Sequence, residues 1–219
     1  MEQKNNLIIV SGPAASGKTT LVKQLENCYM AYFAKPSECY LEIARRRGIP
    51  AEHAFSEVSR EDAEELYCQI CKSHRWVIGD QHLAIQYHRD SAMAVTNEID
   101  SNAMEEYVPA ISKDFIEKLK KAGINPFVIL LEGKPEVLLE RAIRREKKIG
   151  HTVRNKSIEE VTREVEAERR CFDQLVRETQ IPNIAIDVTN RSQQEVYLYA
   201  LQRIHELTGK SHDATEWTR

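Results

Sequence analysis

Apolar positions in this chain gather in short unbroken runs, separated by longer stretches in which they recur every three or four residues. Leu7-Ile8-Ile9-Val10, the stretch 75–80, Pro126-Phe127-Val128-Ile129-Leu130-Leu131 and residues 183–188 read as strands covered on both faces. Cys28-Tyr29-Met30-Ala31-Tyr32-Phe33 reads as another buried strand, ended before Pro36 because proline cannot continue a central strand. Helical spacing predicts helices over residues 20–25, 37–47, 60–73, 81–88, 105–121, 135–145, 158–178 and 193–207. Punctuation agrees with several of these boundaries. Gly48 and Gly123 follow helix ends, Pro135 opens a first turn, and Ser157 with Glu160 forms a capping box. Strands and helices therefore alternate, which implies an α/β fold: about five parallel strands with helices on both faces. Ligands in such sheets sit outside the carboxyl ends of the strands.

The segment after the first strand carries the most specific chemistry. Residues 12–19, Gly12-Pro13-Ala14-Ala15-Ser16-Gly17-Lys18-Thr19, fit the phosphate-binding pattern G-x-x-x-x-G-K-S/T, between a strand and a helix as that pattern requires. The fold class becomes a three-layer P-loop NTPase fold. Backbone N–H groups from Gly12, Ala14, Ala15, Ser16, Gly17 and Thr20 would cradle an anion at a helix N-terminus. Lys18 would reach the β- and γ-phosphates, and the Thr19 hydroxyl would hold Mg²⁺. The expected ligands are ATP and Mg²⁺.

Other residues gain meaning beside this loop. Asp80 ends an apolar strand, so it can orient the metal with Thr19 or take the proton of an attacking hydroxyl; it can equally cap the next helix. His82 stands two residues further on, close enough to line the same pocket. The basic stretch after Arg145, residues 146–156, suits an arginine lid closing over a transferring phosphoryl, or a solvated loop. Arg45-Arg46-Arg47 closes a predicted helix and suits its dipole, with a phosphate contact as the alternative. Cys68 and Cys71 form one C-x-x-C on a helical stretch, which reads as two helix thiols more readily than as a metal site.

Composition narrows the partners. With 31 basic and 34 acidic residues the formal charge is −3, which argues against a partner such as duplex DNA or an anionic membrane. No stretch approaches the roughly 20 apolar residues of a membrane span, and the N-terminus lacks the apolar region of a signal peptide. Five cysteines are an odd set in a chain of this length, which speaks against a disulfide framework. The expectation is a cytoplasmic domain over residues 1–208, with the lid at about 144–156 and a flexible tail at 209–219. Its partner would be a small-molecule acceptor, with no nucleic acid and no membrane; a homodimer is compatible with the pattern.

In the order of its parts the chain resembles the nucleoside and nucleotide kinases, nearest in layout to thymidylate and deoxynucleoside kinases. The features that carry the resemblance are the P-loop, Lys35-Pro36 at the end of the second strand and Asp80 at the end of the third. The Pro135–Arg145 helix with its basic residues and the final Ile186-Asp187-Val188-Thr189 complete them. The resemblance implies that Lys18, Asp80, Arg144 and Arg145 act on the transferring phosphoryl, and that Thr189-Asn190 bracket the adenine. It implies an acceptor lodged between the P-loop and the intervening helices, near Lys35, Glu38, Gln81 and His82. Two positions depart from the family: Gln81 stands where an arginine is usual, and Lys35 where an acid is usual. Gln81 can offer donor and acceptor groups to a nucleobase, and Lys35 could draw an anionic acceptor.

Two other classes compete. A nucleotide-dependent switch would be marked by a guanine-reading N-K-x-D, which the sequence lacks. A kinase of polynucleotide ends would need a basic groove with stacking aromatics, whereas aromatic residues make up 7% of the chain.

Overall fold

The computed structural model of the chain describes residues 5–87, 106–149 and 157–208. In chain order its elements are β1 (Asn5–Ser11), α1 (Lys18–Tyr29), β2 (Tyr32–Ala34), α2 (Pro36–Arg47), the short α3 (Ala54–Glu57), α4 (Arg60–Ser73) and β3 (Trp76–Asp80). There follow β4 (Ala84–Tyr87), β5 (Glu106–Pro109), α5 (Lys113–Lys121), β6 (Ile124–Glu132), α6 (Pro135–Ile149), α7 (Ile158–Thr179), β7 (Asn183–Asp187) and α8 (Gln193–Thr208).

Alternation along β1 divides the interior. Leu7 and Ile9 point into a core built with α2, α4, α5 and α7, while Ile8 and Val10 point into one built with α1, α6 and α8. The sheet between them is parallel throughout, in the order β2-β3-β1-β6-β7. β1 is thus covered above and below and paired on both edges, which its uninterrupted apolar run requires. Leu25, at 0% exposure on α1, illustrates the energetics: truncation to alanine there costs about 2–5 kcal/mol.

α7 is the element that links the two layers. Val161 near its start belongs to the α1/α6/α8 core, whereas Ala167, Cys171, Phe172 and Leu175 belong to the other. Its first turn is fixed by the reciprocal bonds expected from the sequence: Glu160 N–H donates to Ser157 Oγ, and Ser157 N–H donates to the Glu160 carboxylate.

Three sequence expectations give way. The second strand is shorter and less buried than its apolar run implied. α1 absorbs Cys28 and Tyr29 and stops at Met30, and β2 is an edge strand in which Tyr32 is 45% exposed. Residues 81–88 do not form a helix. After Asp80 the chain bends at Leu83, and residues 84–87 then pair antiparallel with 106–109, with Ile85 opposite Val108. The helix expected over 105–121 divides accordingly into β5 and α5, because Ser112 accepts from Phe115 N–H and caps a new helix start.

Cys68 and Cys71 lie buried on α4 as free thiols. The expected lid at 144–156 falls partly on α6 and partly, with the tail at 209–219, outside the described residues. Among the described residues no helix is long and apolar enough to cross a membrane.

Two stability measurements test this account. Met30 and Gln180 cap α1 and α7 in the left-handed region, at φ 47° and 52°. A Cβ is unfavourable there, so Met30→Gly and Gln180→Gly should each raise the unfolding free energy in urea by roughly 0.5–1 kcal/mol. Burial, aided by the nearby Glu38 charge, pushes the Cys39 thiol up from 9.0 to about 11. The unfolded chain loses this proton first, so stability should fall as pH rises from about 9 to 11. Cys39→Ala should flatten that slope, read from urea midpoints across the range.

Candidate functional site

The loop after β1 is shaped by a close approach. At Gly12, φ is 145° and an added Cβ would stand 2.2 Å from Leu131 O, so only glycine lets the chain pass β6. Ala15 follows at φ 62°, in the left-handed region that a non-glycine residue seldom adopts. Gly17, also at positive φ, is the N-cap of α1; its C=O accepts from Thr20 and Leu21 N–H. The loop and α1 therefore gather N–H groups around one concavity, the arrangement that binds anions.

Lys18 reaches back over this concavity. Its Nζ donates to Gly12 O at 2.5 Å and Pro13 O at 3.0 Å. Burial lowers the Lys18 ammonium below the ordinary lysine range; Glu168, Asp80 and Glu164 pull it back up, and Arg145 lowers it further. Beside it, Thr19 Oγ1 donates to Asp80 Oδ2 at 3.2 Å. The register that places Val10 opposite Asp80, continued by Gln81 N–H to Val10 O, brings that carboxylate to the loop. A hydroxyl and a carboxylate side by side, next to a phosphate nest, are a hard-oxygen donor set that fits Mg²⁺.

Two glutamates of α7 complete the site. Glu168 is 1% exposed. Its Oε2 accepts from Ser11 Oγ at 2.8 Å and Leu83 N–H at 3.0 Å, and its Oε1 lies 2.6 Å from His82 Nδ1. When the ring is neutral and Nδ1 donates to the carboxylate, Nε2 is the ring's acceptor. Glu164, one turn earlier, accepts from Ala14 N–H at 2.7 Å, so a carboxylate already engages one donor of the loop.

The loop, Lys18, Thr19, Asp80 and His82 line a cavity of about 890 Å³ at the carboxyl ends of the strands, and the two glutamates stand behind its wall. Of the residues expected from the sequence, it brings together 14–20, Asp80, His82 and Arg145. Arg144 is turned away: it is exposed on the outer side of α6 and pairs with Glu140 at 2.6 Å. Arg141, one turn before Arg145 on the same face, lines the cavity in its place and donates to Val188 O at 2.9 Å. Thr189 is buried, accepting from Lys134 N–H, and Asn190 is exposed; the cavity wall after β7 is instead Arg191, Ser192 and Gln193. Gln81 lines a separate hollow. Lys35 stands over the Phe33 ring and Glu38 is exposed in the first turn of α2; neither lines the cavity. Arg45 and Arg46 pair with Glu42, and Arg47 with Asp62, on the protein surface.

The sequence signal for the missed Glu168 lies in the α7 stripe. Val161, Glu168 and Leu175 recur every seven residues, and all three are buried. A carboxylate at a core position of an amphipathic helix marks a site worth explaining.

No protein-family model matches the chain, and no curated protein matches it by sequence. Solved structures do. The Bacillus subtilis YorR protein, in complex with phosphorylated GDP, aligns with TM-score 0.54 and 16% identity, over 94% of this chain and 99% of that one. A gluconokinase from Sinorhizobium meliloti 1021 aligns with TM-score 0.50 and 16% identity, over 95% and 96%. The chain has the P-loop kinase fold, a five-stranded parallel sheet flanked by helices. At these identities the likeness concerns the fold, and it does not single out thymidylate or deoxynucleoside kinases.

The Glu164 contact carries a directional consequence. A phosphate oxygen arriving at Ala14 N–H meets a like charge, so Glu164→Gln should tighten tripolyphosphate binding about three- to tenfold by calorimetry. Unchanged affinity would mean that the carboxylate swings clear at no cost.

Proposed function

We propose that this chain is an ATP- and Mg²⁺-dependent phosphotransferase that moves the γ-phosphoryl group to a small acceptor of the nucleoside or nucleotide class. The observation that carries the reading is the contact between the Thr19 hydroxyl and the Asp80 carboxylate at the mouth of the P-loop. Two oxygen donors of the right hardness side by side at the loop support a metal bound next to the β- and γ-phosphates. The kinase fold shared with gluconokinase and YorR supports it.

Each role follows from position. Loop N–H groups hold the phosphates, and Lys18 exchanges its carbonyl partners for phosphate oxygens. Thr19 and Asp80 hold the metal, which would supply charge neutralisation across the phosphate oxygens. Arg145 and Arg141 reach in from α6 to steady the phosphoryl group in transit. Arg191, Ser192 and Gln193 flank the nucleoside end. As the acceptor oxygen bonds to phosphorus and the bond to ADP breaks, the acceptor's proton can pass to His82 Nε2, whose ring Glu168 holds in place. The lid, the cytoplasmic setting and a homodimer belong to the same reading.

Measuring ADP release with Mg²⁺ against a panel of nucleosides, nucleoside monophosphates and other small alcohols tests it. One class of acceptor should raise turnover far above background. Lys18→Ala and Asp80→Asn should each lower that stimulated rate on the order of a hundredfold while remaining folded. ATP binding without stimulation by any acceptor would instead favour a nucleotide-dependent regulatory protein.

A further inference from the structure

The cavity that holds the P-loop runs on to the turn between β7 and α8, and its lining changes character there. Leu21, Val188 and Val196, all buried, make this end apolar, and Arg191 lines it with them. The Arg191 guanidinium lies over the Tyr199 ring of α8, its Cζ 4.8 Å from the ring centroid, within reach of a cation–π contact. Both side chains are accessible to solvent: Arg191 is exposed, and Tyr199 is 37% exposed. Thr189 and Asn190, expected to bracket the adenine, do not line the cavity.

The turn that presents Arg191 is tied down on both sides. Before it, Arg141 donates to Val188 O at 2.9 Å and Lys134 N–H to Thr189 Oγ1 at 3.0 Å. After it, Ser192 N–H donates to the Glu195 carboxylate at 2.7 Å and Glu195 N–H to Ser192 Oγ at 3.2 Å, a second capping box. The charge of Arg191 is met locally as well. Hydrogen bonds with Thr189 hold Asp187 below the usual carboxylate range, those with Ser192 do the same for Glu195, and Arg191 adds to both effects. An arginine neutralised in this way adds little to phosphate binding. What it offers the cavity is a flat, delocalised face, which stacks on aromatic rings.

The polar groups beside it do not choose between bases. They are the amides of Gln24 and Gln193 and the hydroxyl of Ser192. Each can donate and accept, so each can meet the amino group of adenine or the carbonyl of guanine. Stacking is equally tolerant, because every base has a π-face.

We infer that Arg191, backed by Tyr199, is the platform on which the base of the phosphoryl donor stacks, and that the site takes either purine nucleoside triphosphate, GTP as readily as ATP. This rests on the phosphotransferase reading, which puts the nucleoside end of the donor here, and it widens the donor from ATP to both purines. Arg191 is then a binding residue, and Tyr199 a positioning residue that acts through it.

Calorimetry on the full chain with Mg²⁺ tests this, using ATP, GTP, CTP and tripolyphosphate. ATP and GTP should bind within about threefold of each other, and CTP, with its single ring, about fivefold more weakly. Arg191→Ala should weaken ATP and GTP alike by about tenfold and change tripolyphosphate by less than about twofold. Arg191→Lys keeps the charge and loses the plane, so it should bind no better than the alanine variant. Tyr199→Leu should weaken both nucleotides by about threefold and leave tripolyphosphate unchanged. A preference of about twentyfold or more for one purine, the discrimination that a bidentate base contact gives, overturns the donor assignment. Recovered affinity in Arg191→Lys, or an equal loss of tripolyphosphate in Arg191→Ala, overturns the stacking role. If an acceptor raises ATP turnover while GTP neither binds nor serves, the inference falls and the phosphotransferase reading stands. If both purines bind alike and no acceptor raises ADP or GDP release, the phosphotransferase reading falls and the platform stands as that of a nucleotide-binding protein.

Discussion

One buried carboxylate ties this site together. Glu168 comes from α7, yet its bonds go to Ser11 at the end of β1 and to His82 and Leu83 beyond β3. Removing a charge from water is expensive, and three hydrogen bonds offset it only while all three partners stay in place. The network is therefore all-or-none: it fixes the turn into the P-loop, the path of the chain after Asp80 and the depth of α7 in one step. The contact between Thr19 and Asp80 lies beside this network, set by the register that places Val10 opposite Asp80.

What the sequence revealed, and what it hid, separates along local and non-local lines. The P-loop, the Asp80 strand and the α7 capping box are written in contiguous residues, and each appears where it was expected. Arg145 was legible as a basic residue on α6, but Arg144 and Arg145 point in directions a quarter-turn or more apart, and only the helix phase against the sheet decides between them. The same phase brings in Arg141. Pairing of residues 84–87 with 106–109 was hidden because a strand's partner about twenty positions away leaves no local trace, while the apolar spacing of residues 81–88 also suits a helix. Glu164 was hidden for a plainer reason: in a helix with so many exposed carboxylates, nothing in the sequence marks the one that faces the loop.

Phosphate-binding loops are built from cations and backbone N–H groups, which motifs announce. A glycine inside an apolar strand is a further local signal, that something approaches the backbone closely; at Gly79 it is the Tyr67 hydroxyl.

Glu164 and Glu168 sit four residues apart on one rigid rod, about 6 Å along its axis. With the deeper residue pinned, α7 has a fulcrum and the shallower residue lies on a short lever arm. Tilting the rod by about 20° moves Glu164 by only about 2 Å, by the geometry of a 6 Å arm. That distance is already enough to turn a hydrogen bond into an open gap, so the Ala14–Glu164 contact is far more sensitive to the setting of α7 than the bonds of Glu168 are.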